Sequence, residues 1–412
     1  MNAAKSGKIK ILQVLAIVYH AFEKGDMVMK TLFEFQISTK IIYSRESAAQ
    51  IGSLAKSLGM TKVQIVTDSG VTNSGVMPAI TDPLEKEEIG FVIFDGIEPN
   101  PRIATVDRAV QELIADKCDG VIAIGGGSPM DAAKCISVLA NNPGSAAEYL
   151  GVDTIKADGI PCICVPTTAG TAAEITDVAV LSDPEKKLKM GIRSPQIAPA
   201  IALLDPALTL TLPSGPTRDS GLDALTHAIE SFISVNAWRA TDVLTLKAIE
   251  LVGGYLRTAV HKGSDIEARD AMLTASLMAG MGFHNTKLCL VHAITGPLGG
   301  LYDVPHGGSN AIVLPHVMKF LLPSAVDKYV AIARALGENV EGLSPRKAAE
   351  KAVSAVEQLA IDVDLPPGLS AYGVNADDFQ ELSEGIAGNF MVPLSPRIAR
   401  KDDVLAILKA AL

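Results

Sequence analysis

Five short apolar runs, KVQIVTDSG, IGFVIFDG, CDGVIAIGGGS, IPCICVPTT and PAIALLDP, alternate with helix-patterned segments between Met60 and about Leu204. That alternation leaves few folds open, because strands separated by helices pair in parallel and bury both faces of their sheet. Beyond Leu212 the periodicity changes. SGLDALTHAIESFIS, TDVLTLKAIELVGGYLRTAV and EARDAMLTASLMAGMGF carry apolar residues at helical spacing with few strand signals, and the pattern continues to DDVLAILKAAL. The sequence therefore predicts an α/β domain with a mostly parallel sheet over residues 30–210 and an all-α domain over residues 211–412, with the turn-rich TLTLPSGPTR between them. Residues 1–29 are expected to be a non-catalytic extension, since TLFEFQISTKIIY reads as the beginning of the first strand. The apolar run Ile9–Phe22 is too short for a membrane span, contains His20, and lacks a cleavage pattern.

A chain of 412 residues is long enough for two cores with a cleft between them. Its formal charge is -10, from 36 basic and 46 acidic residues, and no Lys/Arg run marks a nucleic-acid footprint. The five cysteines lie in apolar segments without paired CxxC spacing, which suits free thiols in a reducing cytoplasm. Cys162 and Cys164 share a strand face too closely to wrap a zinc ion. No repeat or low-complexity tract suggests a scaffold.

Three polar turns fall where strands end. DGVIAIGGGSPMDAAK places Gly125, Gly126, Gly127 and Ser128 between an apolar strand and a helix that also carries Asp131. Backbone N–H groups freed there form an anion seat suited to a pyrophosphate, although a tight turn alone would also select glycine. PTTAGTAAE offers the hydroxyls of Thr167, Thr168 and Thr171 after the next strand, where open α/β sheets hold ligands. Asp68 ends KVQIVTD, where its carboxylate either accepts bonds from an adenosine ribose or caps a turn. In the helical half, Asp223 and His227 are four apart in GLDALTHAIE and so stack on one helix face. With His292 and His306 from VHAITGPLGGLYDVPHGG they make one carboxylate and three imidazoles, a credible ligand shell for divalent iron or zinc.

These motifs together resemble the iron-containing (group III) alcohol dehydrogenases. The similarity runs from about Phe33 to the C-terminus through EPNP, GGGSPMDAAK, PTTAGTAAE, GLDALTHAIE and VPHG. The resemblance implies the dehydroquinate synthase-like fold of that family: an N-terminal dinucleotide-binding domain and a C-terminal metal-binding domain. It implies a metal, Fe2+ with Zn2+ as the alternative, on Asp223, His227, His292 and His306. It further implies NAD(P) at positions matching Asp68, Asn100, Gly126, Gly127, Thr167, Thr168 and Lys189, and a homodimer or higher homo-oligomer. The charge of Asp68 would disfavour the 2′-phosphate of NADP, so NAD is expected.

The expected activity is an NAD(P)-linked alcohol dehydrogenase or aldehyde reductase, the metal acting as a Lewis acid on a small alcohol or aldehyde. Alkanols, diols and ω-hydroxy acids or their sulfonate analogues are candidate substrates, and Lys189, Arg193 and Lys287 are basic residues that would meet an acidic one. A glycerol dehydrogenase-like polyol oxidoreductase, a dehydroquinate synthase-like lyase and a nucleotide-binding regulator without turnover are the rivals. One departure stands out: relatives carry a second histidine four residues after the position of His292, where this chain has Gly296. Either water or His284 would then relay the proton. His20, His261 and His316 are read as structural or surface histidines.

Overall fold

The computed structural model describes residues 32–183 and 188–412; the expected extension, the Ile9–Phe22 run and His20 lie outside the described residues. Nine strands are described: β1 Lys40–Tyr43, β2 Lys62–Val66, β3 Gly90–Phe94, β4 Gly120–Gly125, β5 Gly151–Val152, β6 Cys162–Pro166, β7 Val178–Asp183, β8 Leu188–Arg193 and β9 Ile201–Leu204. Six of them form one parallel sheet in the order β1-β9-β6-β4-β2-β3. All five expected runs are in it. The first strand begins later than expected, at Lys40, and Leu32–Ser38 contribute no strand.

Burial explains why these runs were conspicuous. Each residue of β4 and of β6 is buried, because both strands are central and covered on both faces. Within β4 the side chains alternate. Val121 and Ala123 face a core shared with the helices Ile103–Ala115 and Gly127–Leu139, through Val106, Leu113 and Met130. Ile122 and Ile124 face the opposite core, against Ile51, Ala55, Ile80 and Leu84 of the helices Ile51–Ser57 and Pro78–Lys86. Edge strand β3 is half exposed.

The sequence did not announce a second, three-stranded sheet in the order β5-β8-β7, in which β7 and β8 pair antiparallel and β5 joins β8 in parallel. After β9 no strand occurs among the described residues. The Ser214–Arg218 part of the stretch expected as a boundary turn is already the first turn of the helix Ser214–Ile233. The helices Arg239–His261 and Ile266–Thr286 pack on that helix and on each other. The architecture is an N-terminal parallel-sheet domain followed by a helical C-terminal domain, and residues 37–412 pack as one compact unit. The five cysteines are free and buried. Among the described residues no helix is long and apolar enough to cross a membrane.

Candidate active site

The strand order reverses between β2 and β4, since β3 lies outside β2 and the chain then crosses back. Such a reversal opens a crevice at the strands' carboxyl ends. Asp68, Gly125–Gly127 and the threonine turn all end strands on this side. Gly125 has φ 148°, a backbone state reserved for glycine, and a Cβ there would lie 2.7 Å from Pro129 Cγ. Gly126 precedes the helix Gly127–Leu139 without side-chain capping, which leaves first-turn N–H groups for an anion. The two turns face each other closely. A Cβ on Gly126 would stand 3.3 Å from Thr168 Cγ2, and one on Gly127 2.9 Å from Thr171 Cγ2, while Thr167 N donates to Gly125 O at 2.8 Å.

Asp68 caps the short helix Ser69–Asn73, its Oδ1 accepting from Val71 N at 3.0 Å. Its second oxygen would be 3.5 Å from a Cβ on Gly125, so the carboxylate caps a turn and borders the glycine seat at once. Asn100 and Lys189 meet: Lys189 Nζ donates to Asn100 Oδ1 at 2.8 Å, and the Asn100 amide donates to Asp303 Oδ1. Burial pulls the Lys189 ammonium below its ordinary pKa, against the fields of Asp131, Asp223 and Asp303.

Asp131 is engaged within the fold. Its Oδ2 accepts from Val180 N at 3.0 Å, and its Oδ1 lies 3.0 Å from the Nζ of fully buried Lys134. Lys134 also donates to Ala173 O at 2.9 Å, Thr176 Oγ1 at 3.1 Å and Val178 O. It ties the glycine-headed helix to the threonine turn, a part the sequence reading had not assigned.

Asp223, His227, His292 and His306 converge, each offering one ligand atom, all within 4.8 Å of one another. Asp223 and His227 lie on the helix Ser214–Ile233, His292 in the first turn of the helix Leu290–Tyr302, and His306 opens the helix His306–Leu321 behind Pro305. The His227 and His292 rings stack at 4.8 Å, and Phe283 closes on His227 at 4.5 Å.

Hydrogen bonds fix which ring nitrogens face inward. His227 Nδ1 lies 3.2 Å from Gly170 O, and His292 Nδ1 lies 2.6 Å from Glu230 Oε2; both partners are acceptors, so the protons sit on Nδ1 and the Nε2 lone pairs face inward. Glu230 is itself held by Val291 N at 2.6 Å and Cys289 N at 3.2 Å. The Asn310 amide nitrogen lies 2.8 Å from Asp223 Oδ1, 3.0 Å from His292 Nε2 and 3.2 Å from His306 Nε2. Three acceptor atoms thus converge on one neutral N–H donor, the same inward aim that a cation's ligands need. Burial raises the Asp223 carboxyl, but His227, His306, His292 and the Asn310 amide more than reverse this and hold it below its ordinary range. Burial keeps His227 and His306 neutral, the latter pushed down to about 3, against the attraction of Asp223. A divalent metal requires a carboxylate and imidazoles with an inward lone pair; Asp223, neutral His227 and His306, and His292 with its Nδ1 turned to Glu230 fit such an ion.

Glu230 and Asn310 were not picked out from the sequence. Glu230 continues the Asp223–His227 stripe at helical spacing, and Asn310 follows His306 by one turn; those offsets were the available signal. His284 stands apart from the cluster, with Nδ1 3.6 Å from Asp177 Oδ1. A Cβ on Gly296, one turn after His292, would meet nothing within 4 Å. His261 and His316 take no part in the cluster; His261 Nε2 meets Asp362 O at 2.7 Å.

Residues 38–206 match the family described as "Iron-containing alcohol dehydrogenase" and residues 217–412 match "Fe-containing alcohol dehydrogenase family, C-terminal". The chain belongs to the iron-containing alcohol dehydrogenase family. It is 36% identical to the NAD-dependent methanol dehydrogenase of Bacillus methanolicus, over 92% of this chain and 99% of that protein. With the 1,3-propanediol dehydrogenase of Klebsiella pneumoniae it shares 37% identity over 92% and 99%. A crystal structure of a 1,3-propanediol oxidoreductase superposes with a TM-score of 0.89 at 37% identity, covering 92% of this chain and 100% of the other.

Proposed function

We propose that this family member interconverts a small primary alcohol and its aldehyde with NAD, one divalent iron being held by Asp223, His227, His292 and His306. The observation that carries the reading is the inward aim of those four residues' ligand atoms, fixed by Gly170 O, Glu230 and Asn310. When bound, the metal supplies Lewis acidity to the alcohol or carbonyl oxygen, and the nicotinamide supplies or accepts the hydride.

The chain's own residues do the remainder. The Gly126–Ser128 backbone and the Thr167, Thr168 and Thr171 turn seat the cofactor's phosphates, and Lys189 with Asn100 positions its nicotinamide half. Asp68 faces the adenosine ribose and repels a 2′-phosphate, so NADH outperforms NADPH. Stacked His227, His292 and Phe283 exclude water from one side of the reacting carbon. A homodimer is part of the same reading.

The test is an assay of His292→Ala with NADH and NADPH, alongside metal analysis and NADH titration. Iron content and turnover should both collapse while NADH still binds, because ligand and cofactor residues occupy different elements. Retained turnover in a sample verified to contain metal would refute the ligand assignment.

A further inference from the structure

The helix Leu290–Tyr302 lies against β8, and side chains show their relative direction. At the start of β8, Lys189 Nζ would be 3.5 Å from a Cβ on Gly299. At its end, Arg193 and His284 approach the same Asp177 carboxylate, and Lys287, three residues before the helix begins, donates to His284 O. Strand and helix therefore run in opposite directions. Lys189, Gly191 and Arg193 share one strand face, while Ile192 turns away into the sheet-side core. His292, Gly296 and Gly299 share one helix face. Gly191 falls midway between Lys189 and Arg193, and so is the strand residue opposite the Gly296 turn. A Cβ on Gly191 would meet Val178 Cγ1 at 3.5 Å and Ala179 O at 3.6 Å, both ordinary contacts, and one on Gly296 would meet nothing within 4 Å, so the space over Gly296 is open.

At the helix-start end of this slot lies an unbalanced charge. Arg193 Nε lies 3.6 Å from Asp177 Oδ2, and His284 approaches the other oxygen of the same carboxylate. Burial holds His284 neutral. Lys287 Nζ donates to His284 O, and among the described residues no carboxylate stands within ion-pair distance of it. One carboxylate thus serves two cations. Lys287 also occupies φ 64° and ψ 167°, a backbone region that suits glycine and costs a lysine strain. Burial, reinforced by Arg193, pushes its ammonium down to about 8, so it still carries charge at neutral pH.

We propose that the slot takes a short aldehyde or alcohol with an anionic terminus, a carboxylate or sulfonate, whose oxygen lies at the Asp223–His306 cluster and whose anion lies on Arg193 and Lys287. This names the substrate class of the reaction proposed above and rests on it. In reduction the aldehyde carbon gains a hydride from NADH and its oxygen gains a proton, yielding alcohol and NAD; the anionic end is unchanged.

The iron-loaded enzyme should be assayed with NADH and succinate semialdehyde, sulfoacetaldehyde or propanal. At least one acidic aldehyde should exceed propanal in kcat/KM by about tenfold, through KM, as charge-assisted pairing with the anion implies. Comparing the two acids separates carboxylate from sulfonate recognition. Lys287→Gly should shrink the acidic-to-neutral ratio by about as much without lowering the melting temperature, since glycine relieves the strained backbone. Arg193→Met should shrink it also. Propanal matching both acids, or Lys287→Gly lowering every substrate equally, overturns the substrate class and leaves the proposed reaction standing. Turnover of none of the three overturns both.

Discussion

At the residue scale, the position one helical turn after His292, Gly296, carries most of what is individual to this chain. A histidine at 296 would sit one turn from His292 and offer a proton path, but glycine leaves open space instead. His284 is the other imidazole in the neighbourhood, and its Nδ1 is directed at Asp177. Water in the part of the Gly296 space that the substrate leaves unfilled is therefore the expected relay, since a polar opening beside ionised groups readily holds it. His284→Ala should slow turnover by less than roughly tenfold, below what a positioned general acid or base contributes. Pre-steady-state rates across neutral pH are the check: a loss of several hundredfold, with metal content unchanged, would make His284 the relay.

At the element scale, the helix Ile266–Thr286 approaches the threonine turn through a single glycine. A Cβ on Gly280 would stand 2.3 Å from Ala172 Cβ and 3.0 Å from Ile175 Cδ1. Ala172 is itself left-handed at φ 49°, so the turn has little freedom to retreat. Gly280→Ala should cost about 1–3 kcal/mol by overpacking, and should weaken NADH because the displaced turn carries Thr167, Thr168 and Thr171. Chemical denaturation and fluorescence titration read the two effects separately; undiminished NADH affinity would sink the coupling.

What the sequence disclosed about these elements follows from their surroundings. β4 and β6 were legible because both faces are buried and their sequences are apolar throughout. β7 and β8 escaped because Asp183, Lys189, Gly191 and Arg193 interrupt the apolar pattern, and β5 has only two residues. The four converging residues were legible from a helical spacing and a family resemblance. Glu230 and Asn310 gain their meaning only when the helices His306–Leu321 and Leu290–Tyr302 bring them beside His292.

At the scale of the whole molecule, the cluster draws one residue pair from Ser214–Ile233 and one histidine from each of two later helices. A metal bound there joins segments some 80 residues apart in sequence and stabilises the native state by mass action. Free metal at a hundredfold over its dissociation constant should contribute about 2.7 kcal/mol. Dialysis against a chelator should lower the melting temperature, and added Fe2+ should restore it; an unchanged melting curve despite proven metal loss would contradict a ligand set spanning these helices.

Lys134 bears on inheritance. Its ammonium is the shared donor for two backbone carbonyls, a threonine hydroxyl and the Asp131 carboxylate, drawn from the glycine-headed helix, the threonine turn and β7. Removing that one side chain strands several buried acceptors. The glycine turn and the threonine turn are consequently tied together within the stretch from Gly120 to Asp183. A chimera that transplants the whole stretch preserves its internal grammar, whereas one spliced between Lys134 and Thr167 from dissimilar parents breaks it.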